Sequence, residues 1–232
     1  MISLSVFLPA YNESECIEKS VLESISVLEG ITSDWELIVV DDGSTDNTSQ
    51  ILKNLASEYP KLNVVCLSEN SGYGNALRIG WSKCSKEIVF YTDSDIPIDM
   101  NDIKKGIPLM EKYDIVIGYR IDRNETFLRA VYSRIYNLVV RCLFSVKFRD
   151  INFSYKMIRR EALQKIKLGS SRGVFIDGEF LAEAVRNNFR ITEIPIEYTA
   201  RTTGKATLGH PKVVLRTIGE IYRYWKFRTL DK

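Results

Sequence analysis

The sequence predicts an α/β fold: a mostly parallel central sheet with helices on both faces. Three observations predict it. Strand-like and helix-like runs alternate four times over residues 2–92, with short connections, which is how parallel sheets are built. Polar clusters follow three of the strands, at the edge where such sheets bind ligands. The chain has 232 residues, 45% hydrophobic and 27% charged, which suits one domain or one domain with a small addition.

Residues 2–9 form the first strand, which stops at Pro9. Ala10, Tyr11, Asn12 and Glu13 lead into a helix with apolar residues at Ile17, Val21, Ile25 and Leu28, a helical spacing that Gly30 ends. Residues 35–40 are the second strand and run into Asp41, Asp42, Gly43, Ser44, Thr45 and Asp46. Asp46 or Ser44 can cap the helix that reaches toward Tyr59. The third strand, 62–67, is followed by Asn70, Ser71, Gly72, Tyr73 and Gly74, which open another helix. The fourth strand, 87–92, ends on Asp93, Ser94 and Asp95. Acids at i and i+2 on a strand point the same way, and at a strand end they can close on one hard cation. Capping of the next helix is the other reading of these two aspartates.

Residues 114–120 are a further strand, ending in Arg120. In the helix beyond it, Arg129 and Ser133 are four apart and share a face. With Arg120 and Arg134 they offer donors for phosphate oxygens, or else form a solvated basic face. Val131, Ile135, Leu138, Val139, Cys142 and Leu143 make this helix amphipathic, fit for a lipid surface or for the core. Asp177 and Glu179 begin another helix, lining an acceptor or, preferably, capping. Residues 191–198 alternate through Pro195 as an edge strand. The last helix, 213–227, carries Val214, Ile218, Ile221, Tyr222, Trp225 and Lys226, which suits membrane-surface contact or packing.

The net charge of +2 gives no footing for nucleic acid, although Lys and Arg outnumber acids from Arg120 onward and acids predominate before it. Cys16, Cys66, Cys84 and Cys142 are scattered without metal spacing and read as reduced, buried thiols of a cytosolic protein. His210, the one histidine, makes no His-based metal site. Met1 leads straight into a strand, and no apolar run approaches the roughly 20 residues of a spanning helix. The expected location is cytoplasmic, peripheral on the cytoplasmic membrane face.

Pro9, Ala10, Tyr11, Asn12 and Glu13, then Asp41 to Asp46, then Asp93, Ser94 and Asp95 resemble the ordered motifs of the family 2 glycosyltransferases with the GT-A fold. The resemblance implies that the first two motifs hold the base and ribose of a nucleotide sugar. It implies that Asp93 and Asp95 hold Mg²⁺ or Mn²⁺ against the diphosphate. The segment from Arg149 to Glu161, with Asp150, Arg159, Arg160 and Glu161, is similar to one carried by polyprenyl-phosphate glycosyltransferases. Phe153 and Ser154 stand there for the family's Ser-Gly. Arg201 and Gly204 resemble a family loop that closes over donor phosphates, with Lys205 supplying charge where Ala206 and Thr207 replace Ser-Lys. The chain looks most like the dolichyl-phosphate mannosyltransferase branch. One departure is Ile96-Pro97, where that branch has Leu-Gln and the Gln can assist the metal.

The activity this implies is inverting transfer of one hexose to a polyprenyl or dolichyl phosphate, from GDP-mannose first and a UDP-sugar second. The implied nucleotide-sugar set is Pro9, Tyr11, Glu13, Asp42, Asp93, Ser94, Asp95, Arg120, Arg201 and Lys205. The acceptor phosphate falls to Arg129, Ser133 and Arg134, and catalysis to Asp95, Arg120, Arg129 and Ser133. A sugar-hydroxyl acceptor would instead need a carboxylate base: Asp150, Asp177 or Glu179. A non-catalytic nucleotide-sugar binding module is the third reading. The expected layout is a catalytic domain at 1–210, split into a donor half (1–119) and an acceptor half with its lid loop (120–210). An amphipathic helix at 211–232 follows.

Overall fold

The computed structural model of the chain describes residues 2–95, 98–121, 127–169, 171–198 and 211–230. The first half runs β1 (Ser3–Ala10), α1 (Ile17–Glu29), β2 (Asp34–Asp41), α2 (Thr48–Glu58), β3 (Leu62–Cys66), α3 (Tyr73–Lys83) and β4 (Ile88–Tyr91). Short helical turns, among them α4 (Ile103–Gly106), lead to β5 (Ile115–Arg120). Then come α5 (Phe127–Phe144), β6 (Lys156–Arg159), α6 (Arg160–Lys165), α7 (Ile176–Arg186), β7 (Ile191–Ile196) and α8 (Pro211–Leu230).

Among the described residues, seven strands form one sheet in the order β3-β2-β1-β4-β6-β5-β7. β1 pairs parallel with β2 and β4, β2 with β3, and β5 with β7. β6 is wedged between β4 and β5, antiparallel to both. The mostly parallel α/β sheet is the expected one; the reversed strand β6 is not legible in residues 149–161. Its four residues are too few to show an alternation. β7 is the predicted edge strand and carries Pro195.

Both faces of the sheet are covered, so the inner strands read as continuous apolar runs rather than alternating ones. Phe7, Ile38, Val89 and Tyr91 pack on one side with Trp81 of α3 and Phe180 of α7. Val6, Leu8, Leu37 and Phe90 pack on the other with Val21 and Leu28 of α1 and Leu52 of α2.

The two long amphipathic helices each pack one side on the protein and leave apolar residues on the other. In α5, Asn137 and Val140 are buried, while Ile135 (54% exposed) and Leu138 (60%) face outward. In α8 the buried side is Thr217, Glu220, Ile221 and Tyr224, and Leu215 (70%), Ile218 (57%), Tyr222 (58%) and Trp225 (40%) are exposed. Phe144 of α5 and Tyr224 of α8 pack edge to face at 5.1 Å and join the two helices. Among the described residues no helix is long and apolar enough to cross a membrane. The expectation of buried thiols holds for Cys84 alone: Cys66 and Cys142 are exposed, at the outer positions of an edge strand and of the outward face of α5.

Candidate active site

β4 ends at Tyr91, and the next residue still hydrogen-bonds to β1, with Thr92 N donating to Phe7 O at 3.3 Å. This anchor delivers Asp93, Ser94 and Asp95 to the carboxyl edge of the sheet, beside the ends of β1 and β2. Ser94 is buried, and both aspartates are half-buried. Tyr73 at the start of α3 donates to Asp93 Oδ1 at 3.1 Å and shares a short hydrogen bond with Tyr91. A phenol has one proton, so Tyr91 is the donor to Tyr73. Burial, and then the charge of Asp95, push Asp93 up to about 6, against the pull of hydrogen bonds from Ser154 and Tyr73.

Two crowded carboxylates at a strand end are the oxygen donors a hard cation takes, and a cation there would relieve their repulsion. Asp93 and Asp95 therefore fit Mg²⁺ or Mn²⁺. Among the described residues they are not joined by a third His, Cys, Asp or Glu into a larger cage. They do not cap the helical turn that follows, because Asp99 fills that position and accepts from Asn101 N at 2.8 Å.

The loops after β1 and β2 are stitched together. Asn12 N donates to Ser44 Oγ (2.8 Å), Thr45 N to Asn12 Oδ1 (2.8 Å), Glu13 N to Thr48 Oγ1 (2.9 Å) and Ser14 N to Asp46 Oδ2 (3.1 Å). The N-cap of α2 is Asn47, without a side-chain cap, rather than Asp46 or Ser44; Asp46, one residue earlier, accepts from Thr48 N at 3.0 Å. Pro9 is buried in β1 and Tyr11 stands 44% exposed at the rim. Asp42 is buried and takes three donors: Ser71 N (2.8 Å), Ser71 Oγ (2.7 Å) and Gly72 N (2.9 Å). It thus pins the turn ahead of α3 to the end of β2.

The glycines of that turn are there for space. Gly72 has φ +94°, and a Cβ on it would sit 2.7 Å from Arg172 O. A Cβ on Gly74 would sit 2.3 Å from Ser171 O. The helix start lies directly against the segment before α7.

The model of the family described as "Glycosyl transferase family 2" matches residues 5–167, a span that includes the loops after β1 and β2 and both aspartates. The chain belongs to glycosyl transferase family 2. It is 30% identical over 85% of its length to the dolichyl-phosphate beta-glucosyltransferase of Saccharomyces cerevisiae, covering 67% of that protein. It is 29% identical over 97% of its length to glycosyltransferase AglD of Haloferax volcanii, of which it covers 37%. It is 27% identical over 91% of its length to an undecaprenyl-phosphate 4-deoxy-4-formamido-L-arabinose transferase of Serratia proteamaculans, of which it covers 64%. It thus spans from about a third to two thirds of these relatives. Glucosyl-3-phosphoglycerate synthase of Mycobacterium tuberculosis, solved with Mn²⁺, UDP and phosphoglyceric acid, superposes with TM-score 0.74 at 24% identity, over 97% of this chain and 78% of that one. The fold is GT-A.

In this family 2 glycosyltransferase the residues of the second half are placed differently from the sequence expectation. Arg120 does not extend freely toward a phosphate. Its Nε and Nη2 grip Asp150 at 2.7 and 3.2 Å, and its guanidinium lies over Phe153 and Tyr198 at 5.7 and 5.3 Å. A bidentate partner 30 positions away had no local signature. Asp177 and Glu179 do not cap α7, whose first residues have no side-chain cap. Asp177 is paired with Lys156 at 2.7 Å, both fully or almost fully buried, and Glu179 accepts from Gly169 N. Burial raises both carboxyls, outweighing Lys156 at Asp177. Lys156 also donates to Phe153 O at 2.7 Å and lies 5.4 Å over the Tyr91 ring, directly behind Asp93's hydroxyl chain.

Arg129 lies in the first turn of α5, with Ser133 half-buried one turn on and Arg134 exposed. Arg201, Lys205, His210 and Ile96-Pro97 lie outside the described residues. Sequence reading missed Tyr73, Tyr91, Ser154 and Lys156. Only Lys156 had a signal: a lysine between Tyr155 and Met157, in a run otherwise apolar.

Proposed function

We propose that this chain transfers one hexose from a nucleotide-diphosphate sugar to a polyprenyl or dolichyl phosphate, with inversion at the anomeric carbon. The observation that carries it is the crowded pair Asp93 and Asp95 at the end of β4, in a family 2 glycosyltransferase. Its support for a lipid-phosphate acceptor is the names of the yeast and Serratia relatives. Glucose is ranked first by the yeast relative's name, with GDP-mannose the other donor to test.

In this reading Asp93 and Asp95 hold Mg²⁺ or Mn²⁺, which when bound supplies positive charge to the leaving diphosphate. Pro9, Tyr11, Glu13 and Ser94 border the nucleotide sugar, and Asp42 holds the turn ahead of α3 that shapes its bed. Arg201 and Lys205 bring cationic donors to the phosphates, and Arg129, Ser133 and Arg134 orient the acceptor phosphate. Arg120 acts through Asp150, fixing the start of the acceptor half rather than touching substrate. Residues 1–119 form the donor half, 120–210 the acceptor half, and 211–232 a surface helix.

A lipid phosphate is already anionic at neutral pH and needs no general base. The three carboxylates that a hydroxyl acceptor would call on are each engaged, Asp150 by Arg120, Asp177 by Lys156 and Glu179 by Gly169 N. That observation favours the phosphate acceptor over the hydroxyl one. The outward apolar residues of α5 and α8, beside the exposed Arg134, Arg141, Arg223 and Lys226, suit the cytoplasmic face of a membrane that holds the acceptor.

The test is turnover of UDP-glucose or GDP-mannose with Mn²⁺ and a short-chain polyprenyl phosphate. Release of nucleoside diphosphate with formation of a lipid-phosphate sugar is expected, and loss of both on chelation or with Asp95→Asn. Arg129→Ala is expected to abolish lipid transfer while sparing donor binding. Unchanged transfer by Asp95→Asn rejects the metal assignment, and donor binding without turnover on any acceptor favours the binding module.

A further inference from the structure

The C-terminal helix reaches the donor side of the site through one buried carboxylate. Glu220 lies on the inward face of α8 and is 3% exposed. Its Oε1 accepts from Arg172 N at 3.1 Å and Gly173 N at 3.0 Å, and Arg216 Nε lies 3.4 Å from the same oxygen. Gly173 leaves room for it: a Cβ there would sit 3.0 Å from Oε2. A buried carboxylate that takes two successive amides holds the backbone of 172–173 in one orientation.

That backbone is what the start of α3 rests on. Arg172 O accepts from Gly74 N at 3.0 Å, and Ser171 O accepts from Arg78 Nη1 at 2.8 Å. Gly72 and Gly74 have no room for a side chain against the same two carbonyls. From the opposite side Asp42 holds Ser71 N and Gly72 N. Tyr73, clamped between those glycines, donates to Asp93. An unbroken series of contacts therefore runs from Glu220 through 172–173 and 72–74 to Tyr73 and Asp93.

We infer that Glu220 is a positioning residue for the metal and diphosphate site, acting through the 171–173 segment on Tyr73 and Asp93. Seating of α8 and binding of a metal–nucleoside diphosphate are then coupled, and the coupling runs equally in both directions. The inference rests on the reading of Asp93 and Asp95 as metal ligands. The ligand class is a divalent cation with a nucleoside diphosphate, and no step of the reaction is needed to see the effect.

The experiment titrates Mn²⁺ with UDP, and in parallel with GDP, into the full chain and its variants by calorimetry. Glu220→Gln keeps an oxygen acceptor and is expected to bind like wild type. Glu220→Ala is expected to lose roughly 10-fold or more in affinity, the range for residues that orient metal ligands. Gly74→Ala, which pushes Ser171 away without touching α8, is expected to lose a similar factor. The double variant should lose little more than either alone, because both cut the same connection. Amide exchange of the unaltered chain is the second readout, independent of how the variants fold. Mn²⁺ with nucleotide should slow exchange at Arg172, Gly173 and Gly74. Wild-type affinity in Glu220→Ala, additive losses in the double variant, or unchanged exchange at those amides would overturn the inference while leaving the metal site standing. Failure of the wild type to bind Mn²⁺ with either nucleotide would overturn the metal reading, and this inference with it.

Discussion

At Lys156 a full positive charge lies in the middle of the sheet with no solvent exposure. Among the described residues its ion-pair partner is Asp177, at 2.7 Å. Lys156→Met leaves that carboxylate buried without its cation, and the expected cost is about 3–5 kcal/mol, read as a lower urea midpoint. Adding Asp177→Leu should recover most of the loss, since replacing a buried pair by apolar groups is often neutral. A single variant as stable as wild type refutes the pairing. Asp46 gives a pH signature. Burial raises its pKa, but hydrogen bonds from Thr48 and Ser14 outweigh burial and hold it at about 2, against an ordinary 3.8. A carboxylate depressed on folding stabilises above its unfolded value and loses that contribution as pH falls through the folded one. The melting-temperature gap between wild type and Asp46→Asn should therefore be steady at neutral pH and shrink as pH falls from about 4 toward about 2. A gap that stays flat over that range contradicts the assignment. Single residues were legible where they broke a pattern: Asp93 and Asp95 interrupt an apolar run. Tyr73 and Tyr91 were not, because their meeting depends on a helix start folding back 18 positions onto a strand end.

Helices α5 and α8 each bury some polar groups against the protein and turn part of their apolar surface away from it. Glu220 and Thr217 are inside, while Leu215 and Ile218 are outside. The sequence showed the apolar stripes but not which way they faced, since a stripe packs on a core or a bilayer with equal ease. Leu215→Glu with Ile218→Glu should sharply reduce cosedimentation with anionic phospholipid vesicles and leave the melting temperature within a few degrees. Full vesicle binding by that variant would show that α8 makes no lipid contact. The glycines before α3 were legible as a turn, and their purpose was not. Gly72 and Gly74 answer to carbonyls about 100 positions later, a distance no local pattern spans.

For the molecule as a whole, ligand binding and folding are linked. With Mn²⁺ and nucleotide at about 100 times the dissociation constant, the folded state should gain about 2.7 kcal/mol. For a domain of this size that corresponds to a rise of roughly 5–10 °C in melting temperature. The rise should vanish in Asp93→Asn; an undiminished shift there would place the ligand elsewhere. The parallel run of the first four strands followed from their alternation with helices, because such units build parallel sheets. The insertion of β6 against the run of the sheet did not follow. Strand neighbours so distant in sequence are chosen by burial of Met157 and Ile158 on opposite faces, which only the assembled core decides.

The outermost strand has a consequence for life in a crowded cell. β7 bonds to β5 along one side only, and its other side is open among the seven strands. Pro195 removes an amide donor from that strand, and Glu193 places a carboxylate on it. Both features discourage a neighbouring molecule from adding itself edge-on. An interrupted rim of this kind disfavours edge-on pairing between copies at any concentration. Pro195→Val, by restoring the missing N–H, should convert a dispersed protein into one that forms thioflavin-positive aggregates on mild heating.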